Sequence, residues 1–273
     1  MENRNTLLLT AMFTPALVVF TAFFLLPLAR LAVESSLGPS GVGIYIAAIT
    51  TPRYLETLGY TVFLSAGVTL VTLVVSGVSG VFLARNEFRG RSLLVSLLTF
   101  PLAFPGVVVG FMIILLAGRQ GLIGDITGCL FGAKVVLAYS MTGLFLGYLY
   151  FSIPRTITTL MASAEKMDRS LEEAARSLGA SPWRVTRDVL IPALVPGLIS
   201  SGAICFATSM GAFGTAFTLA THIDVLPIVI YTEFTLMANI AMAAALSIFL
   251  GAITWAALSV ARAVAGNTVA AAG

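Results

Sequence analysis

Charge is what this sequence has least of. Its 273 residues include only 15 basic and 12 acidic side chains, against 58% apolar residues and a mean hydropathy of +1.01. A soluble domain carries about 25% charged residues. So few charges cannot cover a water-facing surface, which excludes an ordinary soluble enzyme and leaves a multi-span membrane protein. Strand-like alternation is also missing, which disfavours a β-barrel. Spanning helices remain, because lipid offers backbone groups no partners.

The apparatus of catalysis is missing too. There is one histidine, His222, placed in an external loop, and no His, Cys and carboxylate cluster has metal-ligand spacing. A phosphate-binding loop needs Gly-Lys followed by Ser or Thr; the two lysines are Lys134, after Ala133, and Lys166, after Glu165. If solute moves uphill, the energy must come from a partner. The cysteines, Cys129 in an external loop and Cys205 inside a span, are expected to be unpaired.

The charges that exist are unevenly spaced. Six windows hold no Asp, Glu, Lys or Arg: 5–29, 57–84, 92–118, 135–154, 189–223 and 234–261. A membrane crossing needs roughly 20 apolar residues, and each window supplies them. Intramembrane acids and bases mark proton relays, so their absence from these windows disfavours a proton-coupled carrier. Sodium coupling through backbone carbonyls stays open. The stretch 35–52 is too polar and broken to span and reads as loop. Span one covers 7–33, with bends expected at Pro15 and Pro27, and is read as a retained span, not a cleaved signal. Span two covers 60–84. Span three starts near Ser92 and should break where Pro101 and Pro105 fall. An external stretch, 118–134, leads to span four at 135–153. Span five begins near Pro192, and span six covers 240–263. Small residues such as Gly67, Gly77, Gly80, Gly143 and Gly147 read as close helix packing. With the N-terminus inside, 11 of the 15 basic residues fall on the cytoplasmic side, so both termini are cytoplasmic. The net charge of +3 is a topology signal, not a nucleic-acid signal.

The segment 155–191 holds 11 of the 27 charged residues, more than a simple connection requires. Within it, Ser170 and Glu173 fit a capping box. Leu171, Ala174, Ala175 and Leu178 share one helical face, and Gly179 suits a left-handed stop. A second start follows, with Ser181 as cap and Pro182 in the first turn.

The run Glu173-Ala174-Ala175-Arg176-Ser177-Leu178-Gly179, continuing to Val189-Leu190-Ile191-Pro192, resembles the EAA loop of binding-protein-dependent ABC importer permeases. The resemblance implies an all-α integral membrane protein with six transmembrane helices and the type I, methionine-permease-like importer fold. Residues 1–56 would be an N-terminal helix and external loop. Residues 57–263 would be the transport domain with its coupling loop at 165–192, and 264–273 a short tail. It also implies a bacterial-type cytoplasmic membrane, two ATPase subunits, a second permease subunit (identical or homologous) and an extracytoplasmic solute-binding protein. ATP and Mg would bind the ATPases, with no cofactor, metal or catalytic residue in this chain. Glu172, Glu173, Ala174, Ala175 and Gly179 would couple to the ATPase.

Phe100-Pro101-Leu102-Ala103-Phe104-Pro105-Gly106 and Ala207-Thr208-Ser209-Met210-Gly211-Ala212-Phe213-Gly214 resemble segments of spermidine/putrescine-type permeases. Ferric-iron, aminophosphonate, molybdate and sulfate permeases have similar ones. The resemblance implies that Phe104, Pro105, Thr208, Ser209, Met210, Gly211, Phe213 and Gly214 line or gate a path. Met210 and Phe213, three residues apart, are expected on one face of one helix. A polyamine or similar cation is the expected solute; ferric iron, aminophosphonate or an oxyanion is the alternative. The rival reading is a secondary carrier or channel without an ATPase.

Overall fold

The computed structural model describes residues 12–38, 41–219 and 223–270. His222 and the first residues of span one lie outside them. Among the described residues every regular element is helical: α1 Met12–Ser36, α2 Gly43–Thr50, α3 Pro52–Arg85, α4 Arg91–Thr99, α5 Gly106–Ala117, α6 Leu122–Phe131, α7 Met141–Glu165, α8 Arg169–Ser177, α9 Pro182–Met210, α10 Phe213–Leu219, α11 Leu226–Leu236 and α12 Ile240–Ala270. Five segments are long and apolar enough to cross a membrane: Met12–Ser36, Pro52–Arg85, Gly106–Phe131, Pro182–Met210 and Ile240–Gly266.

The chain divides into two compact units. The first joins Met1–Glu56 to Val229–Ala252. Here α1 meets no protein along its apolar length, as a lipid-facing helix would, and a π-helical turn at Thr21–Leu25 precedes Pro27. The expected loop at 35–52 contains α2 instead. Ile44 and Ala48, one turn apart, are buried and turn this short apolar stretch into a helix. Glu233, placed by sequence in an external segment, is 3% exposed; Tyr54 Oη donates to it at 3.0 Å, Asn239 Nδ2 at 3.1 Å, and Arg53 lies 3.6 Å away.

The second unit joins Thr57–Ile228 to Ile253–Gly273. Its core gathers Leu64, Val68, Ile113, Leu144, Tyr148, Cys205, Ala216 and Leu219 from α3, α5, α7, α9 and α10. The centre is α7, which was expected to end at Ile153 but continues to Glu165 through Pro154. A proline inside a helix removes one donor; close packing on both sides of Pro154, buried with Ser152 and Thr156, offsets that loss. Because α7 is enclosed by protein, its surface is free to carry hydroxyls. It is therefore less apolar than the five segments above, although sequence reading had placed span four there.

Other boundaries move for local reasons. Pro101 and Pro105 do break the chain: α4 passes into a 3-10 turn at Phe100–Ala103, then Phe104 and Pro105 are extended before α5. The stretch 118–134 holds α6, and residues 134–137 have no regular structure before the turn at 138–139, with Ser140 capping α7 through the Gly143 amide. At the other end α12 runs past residue 263, through the expected tail, to Ala270. Cys129 is exposed, Cys205 is buried, and both are free.

Candidate functional site

Two constellations in the second unit concern function. The first is α8 with its flanks. Its N-cap is Asp168, not Ser170: Asp168 Oδ1 accepts the Ser170 amide at 2.9 Å, so the helix opens two residues earlier than the capping-box reading. That hydrogen bond holds the Asp168 carboxyl below its usual value of 3.8. At the other end Gly179 takes φ +81, and the Ala180 amide bonds back to Ala175 O at 3.1 Å, as the sequence anticipated. Ser181 then caps α9 through the Arg184 amide at 3.4 Å. The helix starts at Pro182, where the sequence places a second start, and runs on into the span expected to begin near Pro192 through a π-helical turn at Thr186–Leu190.

Glu172 turns inward and is 8% exposed, while Leu171 and Leu178, on the apolar face read from the sequence, are 55% and 88% exposed. Glu172 Oε1 lies 2.6 Å from Arg85 Nη2, at the end of α3, as a charge contact without hydrogen-bond alignment. Arg176 stands 3.9 Å from its other oxygen, and Arg169 Nη2 donates to Ala84 O at 3.3 Å. Glu173 and Ala174 are exposed, and Ala175 is half-buried. Ion pairs thus tie the inner side to α3, and the outer side presents two leucines, a glutamate and an alanine to whatever lies beyond.

The second constellation is a cavity of about 290 Å³. Phe104 and Gly106 from the proline break, Phe151 and Arg155 from α7, and Thr208, Ala212, Gly214 and Thr215 from around the α9–α10 break line it. The walls hold together by very close approach. A Cβ on Gly106 would meet Thr215 Oγ1 at 3.1 Å, and one on Gly110 would meet Thr218 Cβ at 2.5 Å. Thr215 Oγ1 donates to Gly106 O at 3.0 Å. Gly147 gives α7 the same access to Thr215.

Of the residues expected at a gate, Phe104, Thr208 and Gly214 line this cavity. Met210 and Phe213 do not share a helical face: α9 ends at Met210 and α10 begins at Phe213. The physical reason is the flat turn at Gly211, whose amide still reaches Ala207 O while the next residue leaves the helix. Met210 is fully buried beside buried Ser209, whereas Phe213 stacks on Phe217 at 5.1 Å. Gly214 does not soften a helix; it seats α10 against Val107. Two contributors escaped sequence reading. Tyr148, 1% exposed, donates from Oη to Ala212 O at 2.7 Å and so braces the break. Arg155 was assigned to a cytoplasmic loop but lies in α7 at the cavity wall. Neither carried a local signal, since a tyrosine in an apolar window and an arginine after a proline fit ordinary readings.

An all-α membrane bundle with two broken helices around a cavity and a short, charged helix outside it defines the class: a transport permease with the ABC importer fold. A bacterial ABC transporter involved in the import of the acidic polysaccharide alginate has that fold, with a TM-score of 0.83 over 97% of both chains at 16% identity. Residues 76–268 match the binding-protein-dependent transport system inner membrane components, and this chain belongs to that family. It is 36% identical over 166 residues to the molybdenum transport system permease protein ModB of Escherichia coli K12, covering 59% of this chain and 72% of that protein. It is 29% identical over 271 residues to a probable sulfate transport system permease protein cysT of Nephroselmis olivacea, covering 93% and 91%. The chain is therefore a multi-pass inner-membrane permease subunit of a binding-protein-dependent ABC transporter. It is a non-catalytic component, with ATP bound by the partner ATPase. These relatives are oxyanion permeases, so the polyamine expectation gains no support from them.

Proposed function

We propose that this subunit imports an inorganic oxyanion of the molybdate or sulfate kind by alternating access. The observation that carries the reading is the 36% identity to a molybdenum permease. Six helices cross the membrane, with α7 as the fourth and both termini cytoplasmic. Residues 57–263 form the transport domain, preceded by α1 and an external segment that holds α2, and followed by 264–273, into which α12 runs as far as Ala270. Two such domains, from this chain and an identical or homologous partner, enclose the path, and two ATPases seat beneath them.

In this reading α8 is the coupling helix within 165–192. Glu173, Ala174 and Ala175, with exposed Leu171 and Leu178, meet the ATPase. Gly179 permits the turn that follows. Glu172 transmits the motion to α3 through Arg85. Phe104, Thr208 and Gly214 line the path; Pro105, Ser209, Met210, Gly211 and Phe213 flank the two helix breaks and let them move. Leu171 and Leu178, 55% and 88% exposed, leave apolar surface uncovered, which supports docking there.

The test is uptake into proteoliposomes holding the permease, ATPase and binding protein. ATP-dependent uptake of molybdate or sulfate, with none of spermidine, is expected. Spermidine uptake without oxyanion uptake overturns the substrate reading. ATP-independent uptake would restore the secondary-carrier alternative. A cysteine at Ser170 should react with an impermeant thiol reagent only from the cytoplasmic side.

A further inference from the structure

We propose that Arg155 is the selectivity residue of the cavity: its guanidinium holds the passing anion there and excludes cations. The inference deepens the oxyanion reading and rests on it for the identity of the solute.

Arg155 is the charged residue among those lining the cavity. Other basic side chains of the same unit are committed. Arg85 pairs with Glu172, Arg91 with Glu87 and Glu165, and Arg176 with Glu172. Among the described residues no carboxylate lies within 4.0 Å of Arg155, and its exposed side chain borders a space that Pro101, Leu102, Phe104, Val109 and Phe151 also line. An uncompensated cation in the wall of a cleft concentrates anions there and repels cations. The chemistry also fits. A guanidinium presents a planar fork of donors suited to two oxygens of a tetrahedral oxyanion. The cavity of about 290 Å³ has room for such an ion with several waters, each taking roughly 30 Å³. Thr208 also lines the cavity, but its hydroxyl is committed to Ile204 O at 2.9 Å and Cys205 O at 3.0 Å. Charge is therefore supplied by Arg155 from α7, a helix held in the core, while α5 and α10, locked to each other, contribute uncharged lining.

The experiment uses the complete transporter in proteoliposomes, with radiolabelled molybdate and sulfate. Arg155→Gln should lower uptake roughly tenfold or more, the scale of a lost charged hydrogen bond. Arg155→Lys should lose less. In both, assembly and ATPase stimulation by molybdate-loaded binding protein should persist. Wild-type uptake by Arg155→Gln overturns the proposal. A second arm does not depend on which anion is carried. In a Cys129→Ser, Thr208→Cys background, an anionic methanethiosulfonate should react about tenfold faster than a cationic one, relative to a free thiol. Arg155→Gln should erase the difference, and equal rates before that change overturn the proposal. Millimolar molybdate should slow the anionic reagent. Slowing by added phosphatidylglycerol alone would assign Arg155 to a lipid headgroup and overturn it as well. If neither oxyanion is transported yet the reagent preference persists, the molybdate or sulfate identity falls and the anion site stands.

Discussion

The coupling segment and the cavity use glycine in opposite ways. Gly179 stops α8 at φ +81 with nothing within 4 Å of where a Cβ would stand. Gly106, Gly110 and Gly214 have ordinary backbones, but a Cβ on any of them would press into α5 or α10 within 3.1 Å. The first glycine serves the chain's own turn; the others serve a meeting of segments a hundred residues apart. So α8 is held on one side only and exposes the other, whereas α5 and α10 are locked as a pair. In the proposed reading, force reaching α8 would move a helix on its own, and force reaching the cavity wall would move two helices together.

The largest expected effect breaks the open side of α8. Glu173→Lys should abolish ATP-dependent uptake, by about a hundredfold or more, since like-charge contact at an interface costs several kcal/mol. Membrane insertion, measured by immunoblot, should be normal because Glu173 is exposed. Wild-type uptake would remove Glu173 from the docking face. Next comes the anchored side. Arg85→Met leaves buried Glu172 with only Arg176, at 3.9 Å, and losing the close partner of a buried pair costs up to about 3 kcal/mol. The thermal midpoint of purified subunit should fall. The double variant Arg85→Met, Glu172→Leu should recover most of that stability, yet not coupling. Full recovery of uptake would show that the pair carries no motion.

These two regions also differ in how far the sequence revealed them. The stop at Gly179, the cap at Ser181 and the break between Pro101 and Pro105 were all legible, because each is decided within four or five residues. The inward turn of Glu172 was not, since its partner Arg85 lies 87 positions earlier and nothing local marks the pairing. The same holds for Met210 and Phe213. Their spacing fits one helix, and only the close contact of α10 with α5 shows that the helix has already ended. The family motif carried the class of protein without the cavity, and the cavity's Arg155 was hidden by a helix that continues through Pro154.

The locked pair gives a smaller effect than the anchored ion pair. Gly110→Ala places a methyl 2.5 Å from Thr218 Cβ, and overpacking of this kind costs about 1–3 kcal/mol. Thermal stability should drop and uptake with it. Gly179→Ala, strained by about 1–2 kcal/mol for a left-handed residue, should lower uptake while leaving the thermal midpoint of the bundle unchanged. Equal losses of thermal stability in the two variants would erase the contrast between a local and a long-range glycine.

The smallest effect belongs to the cap of α8. Asp168 is fully exposed and its carboxyl is lowered by the Ser170 amide. A depressed carboxylate stabilises the helix above its unfolded value, 3.8 here, and that help disappears as pH falls through the still lower folded value. At neutral pH the cap is therefore fully present. Asp168→Ala should speed hydrogen exchange of the Ser170 amide and the following turn, and trim uptake slightly. Asp168→Asn should behave like the parent at neutral pH, because its carbonyl oxygen accepts the same bond. The Ala variant and the parent should converge only in acid below the carboxyl's folded value. Exchange in Asn as fast as in Ala would mean that charge near the helix start, not the hydrogen bond, holds α8 closed at that end.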